Sequence, residues 1–598
     1  MKQSPHSALR PALVLIASVL LSACGGGGGG GAAPGVIVES PSPAGPPSQP
    51  APPPGPPPPQ PLEEKEVIRF LSQATFGPSE SAVARVRESS LEAWFLAELD
   101  KPASLHLETV LAGFPDDGQF LGPNGMPLPG LASLPSDSFW RTAIEADDQL
   151  RQRMAFALSQ ILVVSANSAL GRAPQAIAHY ADILTAGAFG NYRDLLEAVT
   201  YSPAMAVYLT YLRNEKADPL SGRVPDENFA RELLQLFTVG LVQLNTDGTP
   251  VLNDAGEEVE LYDNTDITEL AKVFTGLSFA GADFDASLRF IPLQAFHSPL
   301  AVFDEFHAME AKSFLGATIP AGTATADSID LALDAIFAHP NVGPFIGRQL
   351  IQRFVTSAPR PDYVRRVAEA FDAGSYALPS GTGVGSGERG DLRAVIAAVL
   401  FDPEARGEAP RLREDFGKLR EPVLRFTHWA RAFDINSADA SNEAALRNTS
   451  GAETLAQHPY LAPSVFNFYR PGYIAPGSQT GAAGLTAPEL QITNATSLVG
   501  YPNFITLFAL ERSPKERPGL PPAYVPDYAE EVALAEDARS LVQHLDDTLA
   551  HGGLRQSTVD GIADVIAALD GQTPAGRDLR ARVASVLVMT SPEYIVLR

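Results

Sequence analysis

The chain has 598 residues, 45% of them hydrophobic and 19% charged, which suits a globular protein of several subdomains and excludes a disordered polypeptide. A formal net charge of −26 repels phosphate backbones and excludes nucleic acid as a partner, and an anionic lipid surface is disfavoured for the same reason. The single cysteine, Cys24, excludes both an internal disulfide and a thiolate zinc site.

The first element is a targeting signal. Lys2 and Arg10 precede an apolar run from Ala12 to Ala23. That run is shorter than the ~20 residues that span a bilayer. Leu21-Ser22-Ala23-Cys24 resembles the lipobox of bacterial lipoproteins. The resemblance implies that residues 1–23 form a signal peptide, that cleavage falls before Cys24, and that lipid on Cys24 holds the chain on a membrane. Gly25 follows where an Asp would favour inner-membrane retention, so the expected location is the outer membrane of the cell envelope. Residues 24–61 form a tether. Gly25 to Gly31 is an unbroken glycine run, and the proline-rich stretch after it cannot build helix or sheet. Extended, the tether reaches on the order of 100 Å.

Folding is predicted from Leu62. Val67, Phe70, Leu71 and Ala74 mark a helical face that Gly77-Pro78 ends. Further helices are predicted over 91–99, around Met154 to Ser165, and over 180–188, 192–201 and 204–213. Asp226 is predicted to cap a strong helix from Glu227 to about Val239, stopped by Gly240, with a stripe of Phe229, Leu233, Leu236 and Phe237. Turn signals at Asp247-Gly248 and Asn253 to Gly256 predict a hairpin over 244–262. Helices resume at Ile267 to Phe274, 328–338, 342–355, 362–373 and 392–401. The expectation is a mainly α fold: a multi-helix core over 62–410 with a small β-hairpin insertion, and a C-terminal helical part over 411–598 packed on it. A proline- and glycine-rich loop is read from Pro463 to Pro488.

Several catalytic patterns are absent, among them Gly-x-Ser-x-Gly, His-Glu-x-x-His and a dinucleotide-binding glycine pattern. The strongest local signal is Glu227-Asn228-Phe229-Ala230-Arg231-Glu232. Glu227 and Arg231 are four apart and share a helical face, as do Asn228 and Glu232. The same spacing is that of an ordinary helix ion pair, worth about 0.3–0.5 kcal/mol.

The stretch from Glu227 to Gly240 resembles the signature helix of the bacterial "domain of unknown function 1800" family. Similar blocks follow the family's order: Phe70 to Gly77, Arg153 to Phe156, Ser202 to Met205, Asp266 to Gly276, His307 to Gly316, Ser464 to Gly472 and Ser591 to Tyr594. The resemblance implies an exported bacterial protein working in the envelope, with polysaccharide as one substrate class. Ala308 follows His307 where the family often carries Asp, which weakens any role that needs that carboxylate.

Two functions are open on this reading. As an envelope hydrolase on polysaccharide or ester substrates, with or without a metal, the chain would use Glu227, Arg231, Glu232 and His307 as catalytic residues. Asn228, Asp266 and Lys312 would bind. As a surface scaffold, it would bind glycan or an envelope protein, and the same polar groups would form a structural network. The scaffold fits better because no catalytic template is met. The sequence specifies no cofactor or metal.

Replacing Cys24 by Ala tests the anchor. Metabolic palmitate labelling should disappear and the protein should leave the membrane fraction; undiminished labelling overturns the lipoprotein expectation.

Overall fold

The computed structural model describes residues 62–598 apart from 116–120, 123–125, 129, 288–290, 436–445 and 511–524. The signal segment, Cys24 and the tether lie outside the described residues. Residues 61–598 form a single compact unit. The described residues are mainly α-helical, and no helix among them is long and apolar enough to cross a membrane.

Two large hydrophobic cores organise the unit. The first takes its buried residues from Val67 to Phe416. In it the Val342–Phe354 helix packs on Pro361–Ala373, which packs in turn on Leu392–Phe401. Leu392–Phe401 has no polar stripe because every residue but Arg393 is buried. Asp391 starts it, accepting the Arg393 and Ala394 amides at 2.9 and 3.4 Å. Asp402 ends it, held by two bonds from Arg366 at 2.6 and 2.8 Å.

The second core is built on the C-terminal helices Pro422–Ala432, Ala495–Ala509, Ala538–Ala550, Gln556–Ala567 and Pro574–Met589. It also takes Phe76, Phe139, Trp140 and Phe156 from the N-terminal part, so the two stretches of sequence share a core. Trp429 sits at its centre, fully buried, with Nε1 donating to the Tyr528 hydroxyl at 2.9 Å.

The predicted helices occur, with differences at their ends. The segment predicted around Met154 to Ser165 is Gln149–Ser159, and 204–213 shortens to Pro203–Tyr208, because Thr210 and Arg213 take positive φ. Over 244–262 the turns form as predicted, with Gly248 and Gly256 at φ of 74° and 80°. Pairing there is limited to isolated bridges at Val242–Glu260, Leu244–Pro250 and Leu252–Glu258. The named strand pairs lie elsewhere, for example Lys312–Phe314 with Ala317–Ile319, and Lys418–Leu419 with Val596–Leu597. Each is two or three residues long, too short for a period-2 pattern to show.

Trp429→Ala should destabilise the unit by ~3–5 kcal/mol, through lost packing and the lost hydrogen bond to the Tyr528 hydroxyl. Denaturant unfolding followed by far-ultraviolet dichroism measures this; a loss below 1 kcal/mol would show that the second core does not depend on its central indole.

Candidate functional site

The signature segment does not continue as one α-helix. Asn228–Glu232 is α-helical and Leu233–Thr238 is a π-helical turn. Asp226 still acts at the start, its Oδ1 accepting the Asn228 amide at 2.9 Å, although Glu227 occupies the capping position. Insertion of a π-turn rotates the side chains that follow it, and such turns are frequent at functional sites. The Val239 and Gly240 amides both return to the Leu234 carbonyl at 3.0 Å. Gly240 closes the turn at φ 76°, and a Cβ there would stand 2.8 Å from the Phe345 ring. Asn341 fixes the exit by donating to the Val239 and Val242 carbonyls at 2.9 and 2.8 Å.

The π-turn forms one wall of a pocket of about 580 Å³. Gln235, Leu236, Gly240 and Leu241 come from this wall. Phe345 and Gln349 come from the Val342–Phe354 helix, and Gln160 from the end of Gln149–Ser159. The opposite wall is the loop with Val465, Phe466 and Arg470 to Ile474. In this loop Asn467 and Tyr469 turn inward and donate to Gln160 Oε1 at 3.3 and 2.9 Å. Phe466 is left 39% exposed, with the Arg470 guanidinium 5.9 Å from its ring centre.

Beneath the pocket lies a buried ionic network. Glu421 Oε2 accepts from Gln160 at 2.8 Å and from Gln457 at 3.0 Å. Its Oε1 accepts from Lys418 at 3.2 Å and lies 3.8 Å from Arg153. Lys418 also reaches Glu489 at 3.4 Å and the Arg353 carbonyl at 2.7 Å. Arg353 donates to the Gln160 and Gln349 carbonyls at 2.9 and 3.0 Å, so both pocket amides rest on it. Burial alone would raise the Glu421 carboxyl, but Lys418 and Arg153, helped by Gln457, bring it down to about 2. Burial raises Glu489 instead, only partly opposed by Lys418.

None of the residues proposed from sequence lines this pocket. Glu227 and Arg231 make their ion pair at 3.0 Å on a half-exposed surface. Asn228 Nδ2 donates to Thr210 Oγ1 at 2.7 Å, holding the turn before the helix. Asp266 is a capping residue: it completes a capping box with Asp263 and accepts the Leu315 amide at 2.8 Å, tying the Asn264–Ala271 helix to the hairpin that carries Lys312. His307 is sealed, with Nδ1 against the Thr275 carbonyl at 3.0 Å and Nε2 against Ser328 Oγ at 3.2 Å, and burial lowers it. Lys312 is buried with no hydrogen bond to Nζ, and burial lowers it too. Glu232 differs: it is half-buried, burial raises it, and its Oε2 has no partner. Its charge adds to burial in pushing the phenols of Tyr208 and Tyr262 up to about 12. Among the described residues no three His, Cys, Asp or Glu side chains gather to hold a metal ion.

The family model described as "Protein of unknown function (DUF1800)" matches residues 69–596. The chain belongs to the DUF1800 family. No curated protein and no solved structure matches it. The DUF1800 match spans both pocket walls and the ionic network beneath them, while the tether lies outside it. Sequence reasoning missed this pocket because it followed charged residues; the available signal was Phe466-Asn467-Phe468-Tyr469-Arg470, aromatic rings and a guanidinium within a proline-rich loop.

The Glu421 carboxyl sets the pH response. Held below its usual 4.5, it contributes stability that is complete above about pH 4.5 and fades as pH falls toward 2. Glu489, being raised, contributes in the opposite sense and loses its contribution as pH rises through its folded value. Glu421→Gln should cost ~3–5 kcal/mol at pH 7, because Lys418 and Arg153 lose their carboxylate. The gap to wild type should narrow between pH 4.5 and 2. A gap that stays constant in pH-dependent melting would contradict the assignment.

Proposed function

We propose that the chain is an exported, lipid-anchored envelope protein whose pocket binds a glycan without transforming it. The observation that carries this reading is Gln349. Its side chain is 5% exposed, it lines the pocket, and its Nε2 has no hydrogen-bond partner. Leaving a buried amide donor unmade costs ~1–3 kcal/mol, a cost that a ligand hydroxyl would relieve. Around it stand Gln235, Phe345, Phe466 and Tyr473: amides to bond vicinal hydroxyls, rings to cover the apolar face of a sugar. Among the described residues, the side chains lining the pocket include no carboxylate, imidazole or thiol, and so no acid–base pair of the kind glycoside hydrolysis uses.

Calorimetric titration with soluble fragments of envelope and extracellular polysaccharides tests the reading. Wild type should bind at least one fragment saturably. Phe466→Ala and Gln349→Leu should each weaken that binding at least about tenfold, the equivalent of one good contact. Gln349→Leu should melt no lower than wild type, since it removes an unpaired buried donor. Unchanged affinity in both variants would overturn the pocket assignment.

A second reading, an envelope hydrolase, rests on Glu232. A half-buried acid with an unpartnered oxygen, held above the usual carboxyl range beside two phenols, has the character of a proton donor. Turnover in a panel of glycan and ester substrates that disappears in Glu232→Gln would favour it over binding alone.

A further inference from the structure

A second pocket, separate from the one above, carries a different chemistry. It has a volume of about 310 Å³ and is lined by Arg411, His551, Arg555, Glu593 and Arg598, with Gly552 and Gly553 forming part of its rim. His551 is 8% exposed and its Nε2 is buried with no hydrogen-bond partner. One layer behind stands Arg420, 3% exposed, whose Nε and Nη2 are buried without a well-formed hydrogen bond, the Tyr594 hydroxyl lying beside the guanidinium. Its backbone amide donates to the Ile595 carbonyl at 2.7 Å, between two residues that line the pocket. Its third nitrogen, Nη1, is spent on His428 Nδ1, and the guanidinium lies 4.4 Å from the Tyr594 ring centre. Among the described residues the groups around the Arg420 guanidinium are His428, Tyr594 and Tyr501, with no carboxylate among them.

Charge accumulates here against the trend of the chain. Arg69 belongs to the same group, because Glu66 pairs with both Arg69 and Arg411, at 2.9 and 3.0 Å. Counting side chains among the described residues, the guanidiniums of Arg69, Arg411, Arg420, Arg555 and Arg598 gather with the carboxylates of Glu66, Asp546 and Glu593, an excess of positive charge in a protein of net charge −26, although Glu593 Oε2 is also buried with no partner. Burial and the charges of Arg420, Arg69 and Arg411 hold His551 down at about 3, so its ring is neutral at pH 7. A concave site with excess positive charge and unpartnered buried nitrogens is one that an anion completes. The nitrogens left over lie on an imidazole and on one guanidinium, with further guanidiniums lining the walls. The donors that line the pocket belong to four separate residues, Arg411, His551, Arg555 and Arg598, rather than to one planar fork, which suits the oxygens of a tetrahedral group better than a carboxylate.

We propose that this pocket binds a tetrahedral oxyanion, a phosphate or sulfate group, free or carried as a monoester, with Arg411, Arg555 and His551 as its ligands and Arg420 supplying charge from behind.

The test uses the full chain with selectively labelled histidine. Inorganic phosphate, sulfate and glycerol 3-phosphate are titrated separately at pH 7 and constant ionic strength, and the His551 ring resonance, assigned with His551→Asn, is followed. The expected result is a saturable shift with phosphate or sulfate, weakened at least tenfold in Arg411→Gln/Arg555→Gln. Tighter binding of glycerol 3-phosphate than of inorganic phosphate assigns the monoester as the source; the reverse order assigns the free ion. A silent His551 resonance in all three titrations overturns the proposal, and so does an equal shift with chloride, which would mean screening rather than a site. The double variant must retain the wild-type melting temperature within 3 °C; if it does not, Arg555→Gln alone, whose guanidinium is largely exposed, gives the same decision.

Discussion

The buried carboxylate of Glu421 is the constraint on which the rest depends. It stands at the start of the Pro422–Ala432 helix, whose aromatic residues fill the second core. Its oxygens hold Gln160 at the end of a helix that contributes to the first core, Lys418 on a strand paired with the end of the chain, and Gln457 before the pocket loop. One buried charge therefore ties segments of both cores to the strand that pairs with Val596–Leu597. Isolated in a low-dielectric interior it would be unaffordable; here Lys418, Arg153 and two amides surround it, and the carboxyl is driven down rather than up. Removing a partner costs much more than the network contributes over an apolar replacement, which makes such a cluster a device for fixing geometry rather than for adding stability.

What it fixes is the pocket floor. Gln160 faces two ways: its Nε2 goes down to Glu421, and its Oε1 receives Asn467 and Tyr469 from the far wall. Arg353 holds the main chain of Gln160 and Gln349 from below. The near wall is shaped by backbone, through the π-turn and the left-handed Gly240 packed against Phe345. A loop of prolines and glycines would ordinarily be an imprecise wall, but Asn467 and Tyr469 donate inward to Gln160 and the Pro471 carbonyl accepts from Gln352, so this one is part of the core.

The fold was largely legible in the sequence because helices of nine or more residues carry their own periodicity. Leu91–Leu99, Val342–Phe354 and Leu392–Phe401 fall within a residue of their predicted limits. The strand pairs were not legible, since two or three residues cannot display an alternation. The π-turn was hidden for a different reason: Leu233 to Thr238 has a good α-helical pattern, and the extra residue per turn is imposed by tertiary contacts such as Tyr192 bonding the Phe237 carbonyl at 2.6 Å. The site was the least legible part. Charge spacing along one helix pointed to Glu227 and Arg231, whereas the groups that meet in space come from segments some three hundred residues apart.

The signature segment nevertheless keeps a central place, for reasons other than its charges. A solvated ion pair such as Glu227 with Arg231 contributes little, whatever its spacing. What this segment supplies is a polar, anchored N-terminal end and an irregular C-terminal end. Asn228, Thr210 and Asp226 form a hydrogen-bonded knot that fixes where the helix begins. Phe229, packed on Tyr211 and Phe274 with ring centres 4.3 and 4.7 Å apart, fixes its rotation. With start and rotation set, the π-turn places Gln235 and Leu236 in the pocket wall while Glu232, one turn earlier, is left half-buried beside Tyr208 and Tyr262. The segment thus joins two chemically distinct environments, an amide-lined cavity and a protonatable acid, on opposite sides of a single backbone irregularity. A regular α-helix through residues 233–238 would turn each later residue by about 100° relative to the one before it, against a smaller step in the wider π-turn, and so could not hold both arrangements at once.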